Sequence, residues 1–243
     1  MTTLPLEGRL ALVTGASRGI GAATARALGN AGAHVILVAR SAGGLEEVEQ
    51  AIHEAGGSAT IAPLDLTEPD SIARLATAVS ARWSALDILV LNAATLGTLT
   101  PVPAIDAKEF AKLLTLNLTA QQALIAAFDP MLRASAHARI IALSTTVAQR
   151  PRAYWGAYGA SKAALETLLL AYGEEMKAIS NIRVALLNPG ATATRMRARA
   201  YPGEDQATLK SPEVVAEAIT NLLVEDFETG QRISLQPRTA HPE

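Results

Sequence analysis

The sequence predicts a doubly wound α/β fold: one parallel sheet of about seven strands with helices on both faces. Three observations carry this expectation. Short apolar segments alternate with helix-length segments along the whole chain. Those apolar segments are rich in β-branched residues, as strands of a sheet covered on both faces are. The first of them runs into a glycine-rich turn that opens directly onto a helix.

The elements follow in order. Leu10-Ala11-Leu12-Val13 is a short apolar run, and residues 9–13 form the first strand candidate. Residues 22–31 are rich in alanine, a strong helix former, and the first helix is placed near 20–30. Further strands are expected at 34–39, 59–64, 88–91, 140–143, 183–187 and 232–235. Helical patterns lie between them near 43–55, 69–82, 106–133, 155–178 and 212–224. Pro69 and Pro212 suit first-turn positions, and Ser211 is a candidate N-cap. No linker, low-complexity segment or repeat of fixed period interrupts the series, so residues 1–243 are expected to form a single domain.

Composition narrows the function. The chain is 49% hydrophobic, enough for a large, well-covered core, and its formal charge is −2. No basic field points to nucleic acid or an anionic membrane. Cysteine is absent, which excludes disulfides, thiol catalysis and cysteine metal sites. His34, His53, His137 and His241 are scattered without metal-ligand spacing. The N-terminus lacks a signal-peptide pattern, and no apolar run reaches the ~18 residues of a membrane span. A cytoplasmic protein is expected, with a small-molecule substrate and no nucleic-acid or membrane partner.

In doubly wound sheets, ligands bind beyond the C-terminal ends of the strands. After the first strand comes Thr14-Gly15-Ala16-Ser17-Arg18-Gly19-Ile20-Gly21. A strand, a glycine-rich turn and a helix start make a phosphate cradle, because backbone N–H groups and the helix dipole both face the anion. The spacing, Gly-x3-Gly-x-Gly, departs from the commoner G-x-G-x-x-G fingerprint, and a tight turn is the bland alternative. After the second strand stands Arg40, where a NAD binder would carry an acid. With Arg18 it offers two cations to a 2′-phosphate, so NADP(H) is expected over NAD(H). After the third strand, Asp65-Leu66 places a carboxylate either for an adenine amino group or for a helix cap. After the fourth, Asn92-Ala93-Ala94 lets a ligand approach the backbone, with Asn92 pinning neighbouring strands.

After the fifth strand comes Ser144-Thr145-Thr146. Thirteen positions beyond Thr145 begins Tyr158-Gly159-Ala160-Ser161-Lys162. Tyr158 and Lys162 are i and i+4 on an expected helix and share a face. An ammonium beside a phenol favours phenolate, which suits the tyrosine to proton transfer near neutral pH. After the sixth strand, Asn188-Pro189-Gly190-Ala191-Thr192-Ala193-Thr194 is a turn carrying hydroxyls near the expected nicotinamide end.

Taken together, this pattern resembles the short-chain dehydrogenase/reductase family in its short, single-domain form. The resemblance rests on Thr14-Gly15-x3-Gly19-Ile20-Gly21, Asp65, Asn92-Ala93, Asn117, Tyr158-x3-Lys162 and Pro189-Gly190-x3-Thr194, in family order and spacing. It implies a Rossmann-type fold and hydride transfer between a nicotinamide and a carbonyl or alcohol. It implies Tyr158 as acid and base, Lys162 as the group that lowers its pKa and binds the nicotinamide ribose, and Asn117 as the holder of a relay water. The family's catalytic serine corresponds to Thr145. A threonine hydroxyl makes the same bond, with a stiffer χ1 and a methyl that narrows the pocket. Ser144 is adjacent but points to the opposite side if the strand continues. Gly15, Ser17, Arg18, Gly19, Ile20, Gly21, Arg40, Asp65, Leu66, Asn92, Ala93, Ala94, Pro189, Gly190, Thr192 and Thr194 are the expected cofactor contacts, with Tyr158 and Lys162.

Two departures bear on the assembly and the site. Ala94 stands where relatives usually have glycine, and Gln236-Pro237-Arg238 replaces a common Asp-Gly-Gly ending, so a homodimer is expected as readily as a homotetramer. Tyr154 to Tyr158 and Tyr201-Pro202-Gly203-Glu204-Asp205 resemble a poorly characterised bacterial subgroup. Residues 191–210 make a connection long enough for a substrate lid. Its Arg195, Arg197 and Arg199 either hold an acidic substrate group or are balanced by Glu204 and Asp205. Arg150, Arg152, Tyr154 and Trp155 are candidates for the other wall. The leading expectation is an NADP(H)-dependent carbonyl reductase or alcohol dehydrogenase. The alternative is an NADP(H)-binding sensor or scaffold with little turnover, which Tyr158 and Lys162 weigh against. A sugar-nucleotide epimerase needs a further C-terminal domain for which 243 residues leave little room.

Overall fold

A computed structural model describes residues 4–235. Seven strands form one wholly parallel sheet: β1 (Leu10–Thr14), β2 (His34–Ala39), β3 (Ser58–Pro63), β4 (Ile88–Leu91), β5 (Arg139–Leu143), β6 (Arg183–Asn188) and β7 (Gln231–Ser234). Their order is β3-β2-β1-β4-β5-β6-β7. Each expected strand is found to within one residue at either end. The chain winds outward in one direction from β1 and in the other from β4, which makes the β1–β4 boundary the switch point.

Side-chain alternation along the strands feeds two cores. Ala11, Val13, Val35, Leu37, Val90 and Leu187 face one layer, packed with Leu28 of α1 (Gly19–Asn30), Leu45 and Ile52 of α2 (Ala42–Glu54) and more distant Val215 and Ile219. Leu10, Leu12, Ile36, Val38, Leu89, Leu91 and Leu186 face the other. That layer holds α3 (Ser71–Ser80), α4 (Ala107–Leu114), α5 (Ala120–Ala134) and α6 (Gly156–Met176). α7 (Arg195–Ala200) lies in the 191–210 connection, and α8 (Pro212–Glu225) carries Val215 and Ile219.

The structure amends the sequence expectations in three places. The long helix of 106–133 is divided by a π turn at Thr115–Thr119, with Asn117 inside it. Such widened turns recur at functional sites. Pro69 lies outside α3, whose N-cap is Asp70 in the left-handed region, so only Pro212 takes the first-turn position. Ser211 occupies the N-cap of α8 but makes no cap bond to the helix. The Gln236-Pro237-Arg238 segment and His241 fall outside the described residues.

The end of the sheet remote from the site is fastened by charge. Arg139, at the start of β5, makes a bidentate pair with Asp226 (2.6 and 2.9 Å), and Arg183 of β6 reaches the same carboxylate at 2.9 Å. The Arg139 bonds hold the Asp226 carboxyl down at about 2. A carboxyl depressed in the folded state stabilises the fold above its unfolded value of about 3.9, and that contribution disappears as pH falls through the folded value. Asp226→Asn is therefore expected to flatten the loss of stability between about pH 4 and pH 2. Denaturant midpoints measured across that range check it, and an unaltered acid slope would contradict it. The effect is modest, because the Asp226 side chain is 41% exposed.

Candidate active site

Beyond the C-terminal ends of β1 and β4 the backbone is locked by two side chains. Thr14 Oγ1 donates to the Val90 carbonyl (3.2 Å) and accepts from the amides of Asn92 and Ala93, both at 3.0 Å. Asn92 Nδ2 donates back to the Thr14 carbonyl at 2.8 Å. This is the strand-pinning expected of Asn92. Gly15, at φ 67°, sits so close that a Cβ would stand 2.7 Å from Asn92 Nδ2. A Cβ on Gly21 would collide with the Gly15 carbonyl oxygen. The glycines therefore let the turn fold onto the switch point, with the N-terminus of α1 facing outward. Arg18 holds the N-cap position without a side-chain bond to the first-turn amides. That uncapped turn fits a pyrophosphate.

A crevice of about 700 Å³ opens from this turn. Its wall includes Gly15, Ser17, Arg18, Gly19 and Ile20 at the phosphate end. Arg40, Asp65 and Leu66 line one extension, and Asn92, Ala93 and Ala94 line the floor. Tyr158, Lys162 and Pro189 also line the crevice, as does Thr194, whose methyl lies 3.6 Å from where a Cβ on Gly19 would stand. Gly21, Asn117, Thr145, Gly190 and Thr192, also expected at the site, are not part of this wall. Thr192 Oγ1 turns back to the carbonyls of Pro189 and Gly190, both at 3.3 Å. Thr194 caps α7 by accepting from the Arg197 amide at 3.1 Å.

At the far extension Arg40 lies 3.5 Å from Asp65 and is mostly exposed. Asp65 also accepts from the Thr67 amide (2.9 Å) and hydroxyl (2.7 Å). Burial raises its carboxyl, but the Thr67 bonds and the Arg40 charge outweigh this and leave it below its ordinary value. Asp65 thus closes a local turn with Thr67 and does not cap α3, whose N-cap is Asp70, and it lines the crevice.

At the other extension Tyr158 and Lys162 are nearly buried on α6. Burial pushes the Tyr158 phenol up to about 12, which keeps it protonated at neutral pH. The Lys162 ammonium donates to the Leu143 carbonyl at 2.8 Å rather than to the phenol. Burial lowers it to about 8, and the charge of Glu166 works the other way. The phenol-lowering pair expected from the i, i+4 spacing is therefore not formed within the protein alone; the depressed group here is the lysine.

Glu166 escaped the sequence reading, although it stands one further helical step on the Tyr158–Lys162 face. Its carboxylate is buried and accepts from the Ser144 hydroxyl, from Gln149 Nε2 at 3.3 Å and from Arg232 of β7. It ties the strand end that carries Ser144 and Thr145 to the helix that carries Tyr158 and Lys162. Glu166→Gln keeps an acceptor for Ser144 but removes the charge that sustains the Lys162 ammonium. The expected result is a basic limb of the pH–rate profile displaced toward lower pH. A limb that stays in place would contradict the electrostatic role.

Asn117 is fully buried in the π turn. Its amide accepts from the Thr95 N–H (2.8 Å) and donates to the Thr95 carbonyl (2.9 Å) and Ser161 Oγ (3.1 Å). Both amide hydrogens are thereby used, and the side chain fastens the loop after β4 to α6. Met196 of α7 lies over Tyr158, with its sulfur 4.0 Å from the phenol oxygen. Trp155 meets Tyr158 edge-on (centroids 6.0 Å apart) and Tyr201 at a tilt (5.8 Å), so it joins the 191–210 connection to α6, and it is absent from the crevice wall.

A family model of short chain dehydrogenases matches residues 9–205 of this chain. The uncharacterized oxidoreductase YciK of Escherichia coli K12 is 33% identical over 237 residues, covering 96% of this chain and 93% of that protein. The crystal structure of a short chain dehydrogenase from Salmonella enterica serovar Typhi superposes with a TM-score of 0.92 at 32% identity, covering 98% and 99% of the two chains. A structure from Escherichia coli CFT073 complexed with NADPH superposes with a TM-score of 0.91 at 33% identity, covering 98% and 100%.

Proposed function

This chain belongs to the short-chain dehydrogenase/reductase family, and we propose that it is an NADP(H)-dependent oxidoreductase acting on a carbonyl/alcohol pair. The observation that carries the reading is the single crevice that begins at the glycine-rich turn and Arg40 and ends at buried Tyr158 and Lys162. It is long enough and open enough for a dinucleotide with a substrate beside it. The NADPH complex of the Escherichia coli CFT073 relative supports the choice of nucleotide.

A nicotinamide nucleotide held by the glycine-rich turn and Arg40 would supply the hydride. The chain's own residues hold and protonate the substrate. Tyr158, protonated at neutral pH, donates its phenolic proton to the carbonyl oxygen in reduction. Lys162 carries three N–H donors, and those not taken by Leu143 serve the ribose and stabilise the phenolate left behind. Thr145, the position expected to hold the substrate oxygen, is not in the crevice wall, and the Ser144 hydroxyl that is there donates to Glu166. Asn117, expected to hold a relay water, has both side-chain N–H groups used by Thr95 and Ser161. Residues 191–210 act as the lid. The base of this segment is closed by a bridge between Thr192 and Lys210, with the Ala193 amide donating to the Lys210 carbonyl at 2.9 Å.

One observation favours the rival reading of a nucleotide-binding sensor without turnover: Ser144, not Thr145, faces the crevice. NADPH oxidation, measured against ketones, aldehydes, quinones and 3-oxoacyl thioesters with NADH in parallel, decides between them. Turnover of one carbonyl class with a preference for NADPH is the expected result. Tight NADPH binding with no turnover across all four classes would sink the enzyme reading.

A further inference from the structure

Resting on the oxidoreductase reading above, we propose that Arg195 and Arg199 form an anion subsite that selects carbonyl substrates bearing a carboxylate. The connection carrying them holds three arginines and two acids, and the structure separates their uses. Arg197 makes a bidentate pair with Glu204, both contacts at 2.5 Å, and lies 3.8 Å above the Tyr201 ring. Asp205 accepts from the Ala207 amide at 2.9 Å and caps a short turn. Both acids are thus occupied away from Arg195 and Arg199.

Arg195 and Arg199 instead line the crevice, at i and i+4 on α7. Residues so spaced share a helix face, about 6 Å apart along the axis. Met196 lies between them in sequence, with its sulfur 4.0 Å from the Tyr158 hydroxyl. Arg199, three residues on from Met196, shares its side of α7, while Arg195 follows Thr194, whose methyl stands 3.6 Å from where a Cβ on Gly19 would be, so the pair spans the crevice between the glycine-rich turn and Tyr158. Among the described residues of the crevice wall, Asp65 is the one carboxylate, and it lies beside Arg40 at the opposite extension. Away from Arg40, the crevice wall presents Lys162, Arg195 and Arg199, and the nearby Glu166 lies behind Lys162 rather than in the wall. Two guanidinium forks one turn apart suit a carboxylate, which accepts paired N–H bonds. A carbonyl placed against Tyr158 would then carry its carboxylate several bonds away, within arginine reach.

The test uses the full chain with NADPH, a series of oxo acids differing in the spacer between ketone and carboxylate, and the methyl ester of each. The esters keep the shape and lose the charge. For the best spacer, the acid is expected to show a KM about tenfold to hundredfold below that of its ester, the span of one charged hydrogen-bonded contact. In Arg195→Gln/Arg199→Gln that ratio should collapse toward one, while the NADPH dissociation constant, read from fluorescence titration, stays within about twofold. Equal KM values for acids and esters would overturn the subsite and leave the oxidoreductase reading standing. A loss of NADPH affinity in the variant with the acid/ester ratio intact would also overturn it, and would give the pair to the cofactor. If no carbonyl compound is turned over, calorimetric titration of the NADPH-bound protein with the oxo acids reads the subsite directly. Binding abolished in the double variant supports it, and absence of binding to the unaltered protein refutes it.

Discussion

Tyr158→Phe is expected to lower kcat by about 10²–10⁴ while leaving NADPH affinity nearly unchanged. The phenol is buried against Met196, and among the described residues its acceptor is that weak sulfur contact. Its burial holds the proton on at neutral pH, near a pKa of about 12. That state is ready to donate and poor at accepting until a positive charge comes close. Phenylalanine preserves the packing against Trp155 and removes only the donor. The comparison that checks this is kcat and KM for one carbonyl substrate beside a direct NADPH titration. A variant that keeps its rate would remove Tyr158 from the chemistry. One that loses rate and nucleotide affinity together would point to damage of the crevice rather than to a missing proton.

The second large effect is on cofactor choice. Arg18 and Arg40 both line the crevice near the glycine-rich turn, and the residue after β2 is a cation where a ribose-binding acid would otherwise stand. Arg40 already faces Asp65 at 3.5 Å, and on the NADP(H) reading its guanidinium meets the 2′-phosphate. Charge-assisted contacts to phosphate contribute about 1.5–3 kcal/mol each when well formed, and less when exposed. Replacing both arginines with alanine is therefore expected to reduce the NADPH-over-NADH preference in kcat/KM by at least about tenfold, chiefly through weaker NADPH binding. Asp65, freed of its partner, should then favour the unphosphorylated ribose. An unchanged ratio would assign 2′-phosphate recognition to other groups.

Much of this fold was legible because its signals are local. β1, β2, β4, β5 and β6 are mainly apolar runs and lie where those runs do, whereas β7, Gln231–Ser234, is mostly polar and exposed. The glycine-rich turn was legible because Gly15 and Gly21 answer a backbone demand that no other residue meets. The division of 106–133 was not, since a π turn needs one extra residue per turn and leaves no mark in a continuous helical pattern around Asn117. The lid arginines were ambiguous for a different reason. Arg195, Arg197 and Arg199 are alike in sequence, and only the fold shows that Glu204 is taken by the middle one. Glu166 and Arg232 lie far apart in the chain and meet only because β7 runs beside β6 over the C-terminal half of the sheet. The Tyr158–Lys162 spacing correctly placed both groups on one wall. It could not show that the ammonium bonds first to Leu143, because a carbonyl at the end of β5 is invisible to helix periodicity.

The central claim is that this crevice carries hydride to a carbonyl carbon while Tyr158 protonates the oxygen. Reduction with NADPH carrying deuterium at the transferring C4 position tests it most directly, with the alcohol product weighed by mass spectrometry. The account predicts one deuterium on the former carbonyl carbon with the unaltered protein, and an alcohol yield from Tyr158→Phe reduced in proportion to its kcat. NADPH consumed without label in the alcohol, or labelled alcohol formed at an undiminished rate by Tyr158→Phe, would contradict it.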